Sequence, residues 1–222
     1  NLNFYNAAIN NSHSKFNVYS LNVDFTLPYK FANIETGSKI TFVENNSEIE
    51  FFKNTPGNPI FDPTKSNEFN YKERVTAFYV SANKEIGEKW TAQFGLRYEN
   101  TETIGNSLTL NTTKKNNFGN LFPSAYLTYD PNENNSFSIA YSKRIERPSF
   151  SEVNPFRVYS DFYSYDTGNP NLLPMLTDNI ELSYIFKNNL CHKLFSSYVS
   201  WQMSLLQEFF LIMSCLYLFL PI

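Results

Sequence analysis

A chain of 222 residues is long enough for one ordinary domain or for a fraction of something larger. Aromatics make up 18% of it, with 22 Phe and 15 Tyr, and charged residues only another 18%, so the chain carries less charged surface than a soluble protein needs to disperse so many rings. The net charge of -3, with Lys and Arg scattered rather than striped, excludes a nucleic-acid-binding surface, and no nucleic acid is expected as partner.

Both cysteines, Cys191 and Cys215, fall near the carboxy terminus, and the absence of thiols before them suits an oxidising compartment. Residues 1–11 are polar and aromatic, with neither the charged start nor the apolar stretch of a signal peptide. With no initiating Met, the chain is expected to begin inside a longer gene product.

In chain order, the first element is a strand over 19–27, with Tyr19, Leu21, Val23, Phe25 and Leu27 on one face and Ser20, Asn22, Asp24 and Thr26 on the other. A second strand over 37–52 follows, its alternation broken around Glu44 to Ser47. A weaker one covers 75–83 (Phe78, Val80, Ala82). The clearest is 90–99, where Trp90, Ala92, Phe94, Leu96 and Tyr98 oppose Thr91, Gln93, Gly95, Arg97 and Glu99. Then come 123–129 (Ala125, Leu127, Tyr129), 136–142 (Phe137, Ile139, Tyr141 against Ser136, Ser138, Ala140, Ser142) and 180–186 (Ile180, Leu182, Tyr184, Phe186). The strands are expected to be about 9 to 13 residues long, enough for a tilted strand to cross a bilayer.

The connections alternate too. Short links at 28–36, 86–89, 130–135 and 187–189 are interleaved with long polar links at 53–69, 103–118 and 147–176. A sandwich has no reason to gather its long loops at one end, whereas a transmembrane barrel has tight turns on one side of the membrane and long loops on the other. On the apolar faces, charges appear only near strand ends: Lys143 and Asp178 share that face by parity but border a long loop. Trp90, Tyr98, Tyr129 and Tyr141 suit interfacial girdles. The predicted fold class is therefore all-β: an antiparallel up-and-down transmembrane β-barrel, partial, with about seven strands of a larger barrel. Bacterial single-chain barrels have an even number of strands, and an open sheet would leave unpaired edges in lipid.

One ordered series of motifs points to a family. The run Phe122-Pro123-Ser124-Ala125-Tyr126-Leu127-Thr128-Tyr129 is followed by Tyr141-Ser142-Lys143-Arg144-Ile145-Glu146-Arg147-Pro148. Next come Asn154-Pro155-Phe156, Gly168-Asn169-Pro170-Asn171-Leu172 and Thr177-Asp178-Asn179-Ile180-Glu181-Leu182. The succession resembles the outer-membrane β-barrel family of TonB-dependent receptors, most sharply over 120–187. The resemblance implies a barrel of about 22 strands around an amino-terminal plug, importing a ligand with energy passed on by the TonB complex. It implies a bacterial outer-membrane location and, as partners, outer-membrane lipid, the missing plug and remaining strands, and the TonB complex through the missing part. The ligand, whether metal chelate, glycan or peptide, stays open.

Within that frame, residues 1–189 are expected to form the barrel fragment. Arg144, Glu146 and Arg147 sit where a strand leaves the membrane, as a rim salt bridge or as ligand contacts. Tyr159, Phe162, Tyr163 and Tyr165 crowd one extracellular loop, for loop packing or for stacking on sugar or chelate rings. Pro148, Pro155 and Pro170 with Gly168 stiffen and turn that loop. From Leu190 alternation stops, and residues 190–222 are expected to be an atypical apolar tail, frame-shifted or degenerate. No catalytic constellation, metal-ligand spacing or cofactor motif is found, so an enzyme is not expected; His13 and His192 lie far apart, and Cys191-His192 is a single adjacent pair. Two rivals remain from other classes: a small self-associating outer-membrane porin or adhesin barrel, which heat-modifiable self-closure would reveal, and a secreted carbohydrate-binding β-sandwich, which would need no detergent.

Overall fold

The computed structural model describes residues 7–55, 58–161, 163–186, 190–200 and 208–214. In chain order the elements are β1 (Ala7–Pro28), β2 (Asn33–Thr55), β3 (Asn58–Phe61), β4 (Asn67–Ile86), β5 (Trp90–Ser107), β6 (Thr112–Asn132) and β7 (Asn135–Glu146). After these come the short helix α1 (Phe150–Val153), β8 (Arg157–Tyr159), β9 (Tyr165–Thr167), β10 (Met175–Phe186), β11 (Leu190–Ser200) and β12 (Glu208–Ser214). One antiparallel sheet runs β1-β2-β4-β5-β6-β7-β10-β11-β12, with β3 beside the end of β2, and β8 and β9 form a separate hairpin. Seven of these strands curl through 181° into a half-barrel. The predicted fold class and strand count are borne out.

Register confirms which side chains share a face. Outward pairs include Phe78 with Tyr98, Leu96 with Pro123, Phe94 with Ala125, and Leu127 with Ile139. Leu21, Phe25, Phe78 and Phe94 are all more than half exposed to solvent in the isolated chain. A continuous belt of that size is incompatible with water and needs lipid against it. Its lower margin is a row of rings, one from each of four adjacent strands: Trp90 stacks on Tyr129 at 4.3 Å, Tyr129 on Phe137 at 6.4 Å, and Phe137 on Tyr184 at 4.7 Å. This row borders the tight turns, including the one where Gly87 adopts φ 65°.

The upper margin is marked by outward ion pairs between registered neighbours: Lys72 with Glu44 at 3.0 Å, Arg74 with Glu102 at 2.5 Å, and Lys143 with Asp178 at 3.9 Å. The Tyr141 hydroxyl donates to Asp178 at 2.7 Å. From Trp90 to Tyr98 the strand rises about 27 Å, or roughly 21 Å along the membrane normal at a tilt near 40°, close to the ~25 Å apolar band of such barrels. Glu102 lies roughly 31 Å up by the same measure, in the headgroup zone.

The strand lengths correct the sequence reading. β7 and β10 have 12 residues each, as expected, but β1, β2, β4, β5 and β6 have 22, 23, 20, 18 and 21. At about 3.4 Å per residue, β1 spans about 71 Å, far more than the membrane needs. The supposed polar link 103–118 is mostly strand: β5 and β6 stay paired to Ser107↔Thr112 and turn through 108–111, with Asn111 at φ 50°. The break near Glu44 lies inside continuous β2, paired on both sides. Above the lipid both faces meet polar surroundings, so period-2 alternation vanishes while the backbone ladder continues.

Residues 190–207, assigned from sequence to the tail, include β11, whose backbone pairs along β10 from Leu176↔Ser200 to Phe186↔Leu190. Cys215 and the carboxy-terminal residues 215–222 lie outside the described residues.

Candidate functional site

The inner face above the lipid band is covered by the segment 147–174, which folds back over β1, β2, β4, β5 and β6 as a strap. Its root is Arg147, directly after β7. The Arg147 guanidinium pairs with Glu99 on β5, and its Nε donates to Thr101 Oγ1 at 3.3 Å. Glu99 is only 3% exposed and is also paired with Arg97. Next to them the Tyr71 hydroxyl donates to Glu73 at 2.9 Å, and burial, then the Glu73 charge, push that phenol well above its ordinary range.

Beyond the root, α1 is one turn closed by a capping box: Glu152 accepts from the Ser149 amide at 2.7 Å and from its hydroxyl at 2.8 Å, which lowers the Glu152 carboxyl. The strap then crosses itself. Gly168 donates its N–H to Asn154 O at 2.8 Å, and Asn169 donates to Glu152 O at 2.6 Å. A Cβ at Gly168 would stand 2.7 Å from Asn154 O and closer still to Glu152 O, so only glycine fits the crossing. Phe156 and Asn154 are buried beneath it.

Farther along, Tyr159 packs edge-on against buried Phe51 of β2 at 6.2 Å and tilts against Tyr165 at 5.6 Å. The Lys65 ammonium lies over both Tyr159 at 4.2 Å and Phe51 at 4.9 Å. Lys65 belongs to a turn in which Asp62 accepts from the Thr64 amide and hydroxyl at 3.1 and 2.6 Å and pairs with Lys53 at 2.8 Å. Lys53 first, then Thr64, pull the Asp62 carboxyl down to about 2. Ser66 Oγ accepts from the Phe51 amide at 3.0 Å, replacing the ladder bond that the turn interrupts. At the tip of the β8–β9 hairpin, Asp161 accepts from the Tyr163 and Ser164 amides and the Ser164 hydroxyl, which lowers its carboxyl and holds the tip closed.

The six candidates from the sequence are thus distributed over one segment and its root. Arg147 and Tyr159 hold the strap to the wall. Arg144 faces inward from β7 and is exposed, Tyr163 is 91% exposed at the tip, and Tyr165 is exposed with Arg157 over its ring at 4.7 Å. Phe162 lies outside the described residues. What the sequence reading lacked was the partners: Glu99 was legible only as polar lining, and Phe51 and Lys65 carried no signal.

Among the described residues, two cavities lie between strap and wall. The smaller, about 290 Å³, is lined mainly by Phe69, Tyr71, Leu110, Val153, Pro155 and Pro170. The larger, about 610 Å³, opens between β1, β2 and the strap. Among the described residues no cluster of His, Cys, Asp and Glu suits a metal ion.

The model of a family described as "Outer membrane protein beta-barrel family" matches residues 1–207. No curated protein matches the chain in sequence. Among solved structures it is similar to the ferric citrate transporter FecA in the unliganded form, with a TM-score of 0.64 and 13% identity over 86% of this chain and 29% of that one. It is also similar to the ferric yersiniabactin uptake receptor FyuA from Yersinia pestis, TM-score 0.60 and 12% identity over 86% of this chain and 30% of that one. A third is the alcaligin outer-membrane receptor FauA from Bordetella pertussis, TM-score 0.55 and 14% identity over 86% and 30%. The chain therefore spans less than a third of the length of these proteins.

Proposed function

The chain belongs to the outer-membrane protein β-barrel family of the bacterial outer membrane, and from that premise we propose that it forms a section of the wall of a TonB-dependent receptor that takes up a ligand. The observation that supports this best is the half-barrel whose inner face is covered by its own strap, in a fold shared with uptake receptors over 86% of the chain. A wall of this kind contributes an inward polar surface and extracellular loops. The remaining strands, a plug and the TonB complex would be its partners, and lipid its outer neighbour. Its role is binding and passage rather than chemistry.

In this reading Arg144, Tyr163 and Tyr165, with Phe162, are the ligand contacts, because Arg144, Tyr163 and Tyr165 present polar or aromatic groups to open space. Arg147 and Tyr159 act earlier, by shaping the strap. The boundary at 189 is a proposal as well. Loss of alternation after Leu190 supports it, while the family match to residue 207 and the pairing of β11 with β10 favour a later one. Reading the DNA in all frames decides between them.

The test is energised uptake. Cells carrying the intact gene should accumulate a labelled ligand only with TonB and a proton-motive force, and an epitope at Tyr163 should be reachable from outside intact cells, while one at Glu88 should not. Accumulation that persists without TonB would sink the receptor reading.

A further inference from the structure

Above the lipid belt the sheet continues, and its outward face changes chemistry row by row along the ladder. Tyr19 and Phe42 close the apolar belt, and in register with them stand Arg74, Glu102 and Asn117. Two residues farther up each strand come Asn17, Glu44, Lys72, Ile104 and Lys115. Two farther again come Lys15, Asn46, Asn70, Asn106 and Thr113. At about 3.4 Å per residue the three rows cover roughly 14 Å along the strands, and Glu102 in the first of them already lies in the headgroup zone.

These rows are cationic in a chain whose net charge is -3: Lys15, Lys72, Arg74 and Lys115 stand against Glu44 and Glu102. Lys15 and Lys115 are exposed and form no ion pair among the described residues. The Lys72–Glu44 and Arg74–Glu102 pairs are largely exposed, so water weakens them and they yield to a stronger acceptor such as a phosphate. Lys72 and Lys115 flank Ile104 from the two adjacent strands, about 10 Å apart backbone to backbone, within reach of one anion lying over Ile104. A crevice of about 220 Å³ opens there among Phe42, Lys72, Arg74, Glu102 and Ile104. In the row above, the Thr113 hydroxyl donates to Asn106 Oδ1 at 2.9 Å, which leaves the Asn106 amide to donate beside those of Asn46 and Asn70. Glu48 opposite Glu68 then ends the cationic zone. Rings, cations and amides thus follow one another upward, in the order of acyl chains, phosphate and sugar in a phosphorylated glycolipid, the lipid of the leaflet on the long-loop side.

We propose that the outward face of β1, β2, β4, β5 and β6 binds one phosphorylated glycolipid of the outer leaflet, with its acyl chains on the belt, a phosphate held by Lys72, Arg74 and Lys115, and its sugar against the asparagine row. The site is continuous with the lipid-covered belt below it and lies on the opposite side of the wall from the strap. It goes beyond the uptake reading and does not rest on it.

The experiment is native mass spectrometry of the protein expressed from the intact gene, extracted from outer membranes, stripped of lipid in detergent and titrated with bisphosphorylated lipid A carrying its inner sugars. The same lipid with its phosphates removed and phosphatidylglycerol serve as controls. The phosphorylated glycolipid should bind at least about tenfold more tightly than either control. Lys72→Gln combined with Lys115→Gln, both at exposed outward positions above the lipid, should weaken it at least about tenfold, and Asn46→Ala combined with Asn70→Ala at least about threefold. Lys143→Gln, on the outward face of β7 away from the patch, should change it by less than about twofold. The proposal is overturned if the dephosphorylated lipid or phosphatidylglycerol binds as tightly, if the double lysine variant keeps the parent's affinity, or if Lys143→Gln weakens binding as much as that variant does. No lumenal ligand or TonB enters the measurement, so its failure leaves the uptake reading standing, and loss of TonB-dependent accumulation leaves the lipid site standing.

Discussion

Arg147, the first residue after β7, reaches back past β6 to pair with Glu99 on the inner face of β5. That one contact joins the root of the strap to a strand two places away in the sheet, at a carboxylate almost wholly removed from solvent. Removing one partner of a buried pair costs about 3 to 5 kcal/mol when the other is stranded. Here Arg97 still faces Glu99, so Arg147→Ala is expected to cost about 1 to 3 kcal/mol. Limited proteolysis in detergent should show cleavage within 147–174 that the parent chain resists, and an unchanged digest would remove the anchoring role.

Gly168 sits where two passes of the strap touch backbone to backbone. Gly168→Ala pushes a methyl into Asn154 O and Glu152 O, atoms that cannot swing aside, so the crossing must open at a cost on the order of 1 to 3 kcal/mol. Thermal unfolding should show a lower midpoint, and hydrogen exchange should speed up at Asn169 while β4 and β5 keep their protection.

The two faces of β5 predict opposite responses to the same charge. Phe94→Arg places a guanidinium at mid-band against lipid, costing about 2 to 4 kcal/mol, whereas Gln93→Arg points inward and should be nearly neutral. Refolding into vesicles, followed by the gel shift of heated and unheated samples, measures both. Equal behaviour of the two variants would contradict the assignment of the lipid face.

The Asp62 turn should respond to acid. Its carboxyl is held at about 2 against an ordinary 3.8, so its contribution to stability is present above pH 3.8 and is lost as pH falls from there through 2. Protection of the Thr64 amide, which donates to Asp62 Oδ1, should fall over that interval and be low at every pH in Asp62→Ala, which has no acceptor. A Thr64 amide equally protected at pH 5 and pH 2 would rule this out.

Much of the architecture was legible in the chain itself. Alternation from Trp90 to Tyr98 separated the lipid face from the inner face correctly, and the short links before Trp90 and after Tyr129 placed the tight turns on one side. Lys143 and Asp178 even declared themselves as charges on the apolar face near its margin. That they are direct neighbours, with Tyr141 as a third partner, was not readable, since they are separated by the whole strap.

By itself the sequence determined the fold class and the facing of the membrane-spanning strands with regular alternation, such as 19–27 and 90–99. Lipid on one side and a polar interior on the other leave a period of two, and the alternation of short and long links separates a barrel from a sandwich with the same period. Only the tertiary structure decided how far the strands continue above the membrane, which residues meet across them and where the strap lies. Outside lipid both faces of a strand are polar and the period disappears, while the Arg147–Glu99 pair, the Tyr159–Phe51 contact and the cavity between β1, β2 and the strap arise from sheet curvature and register, which bring together residues that no local pattern links.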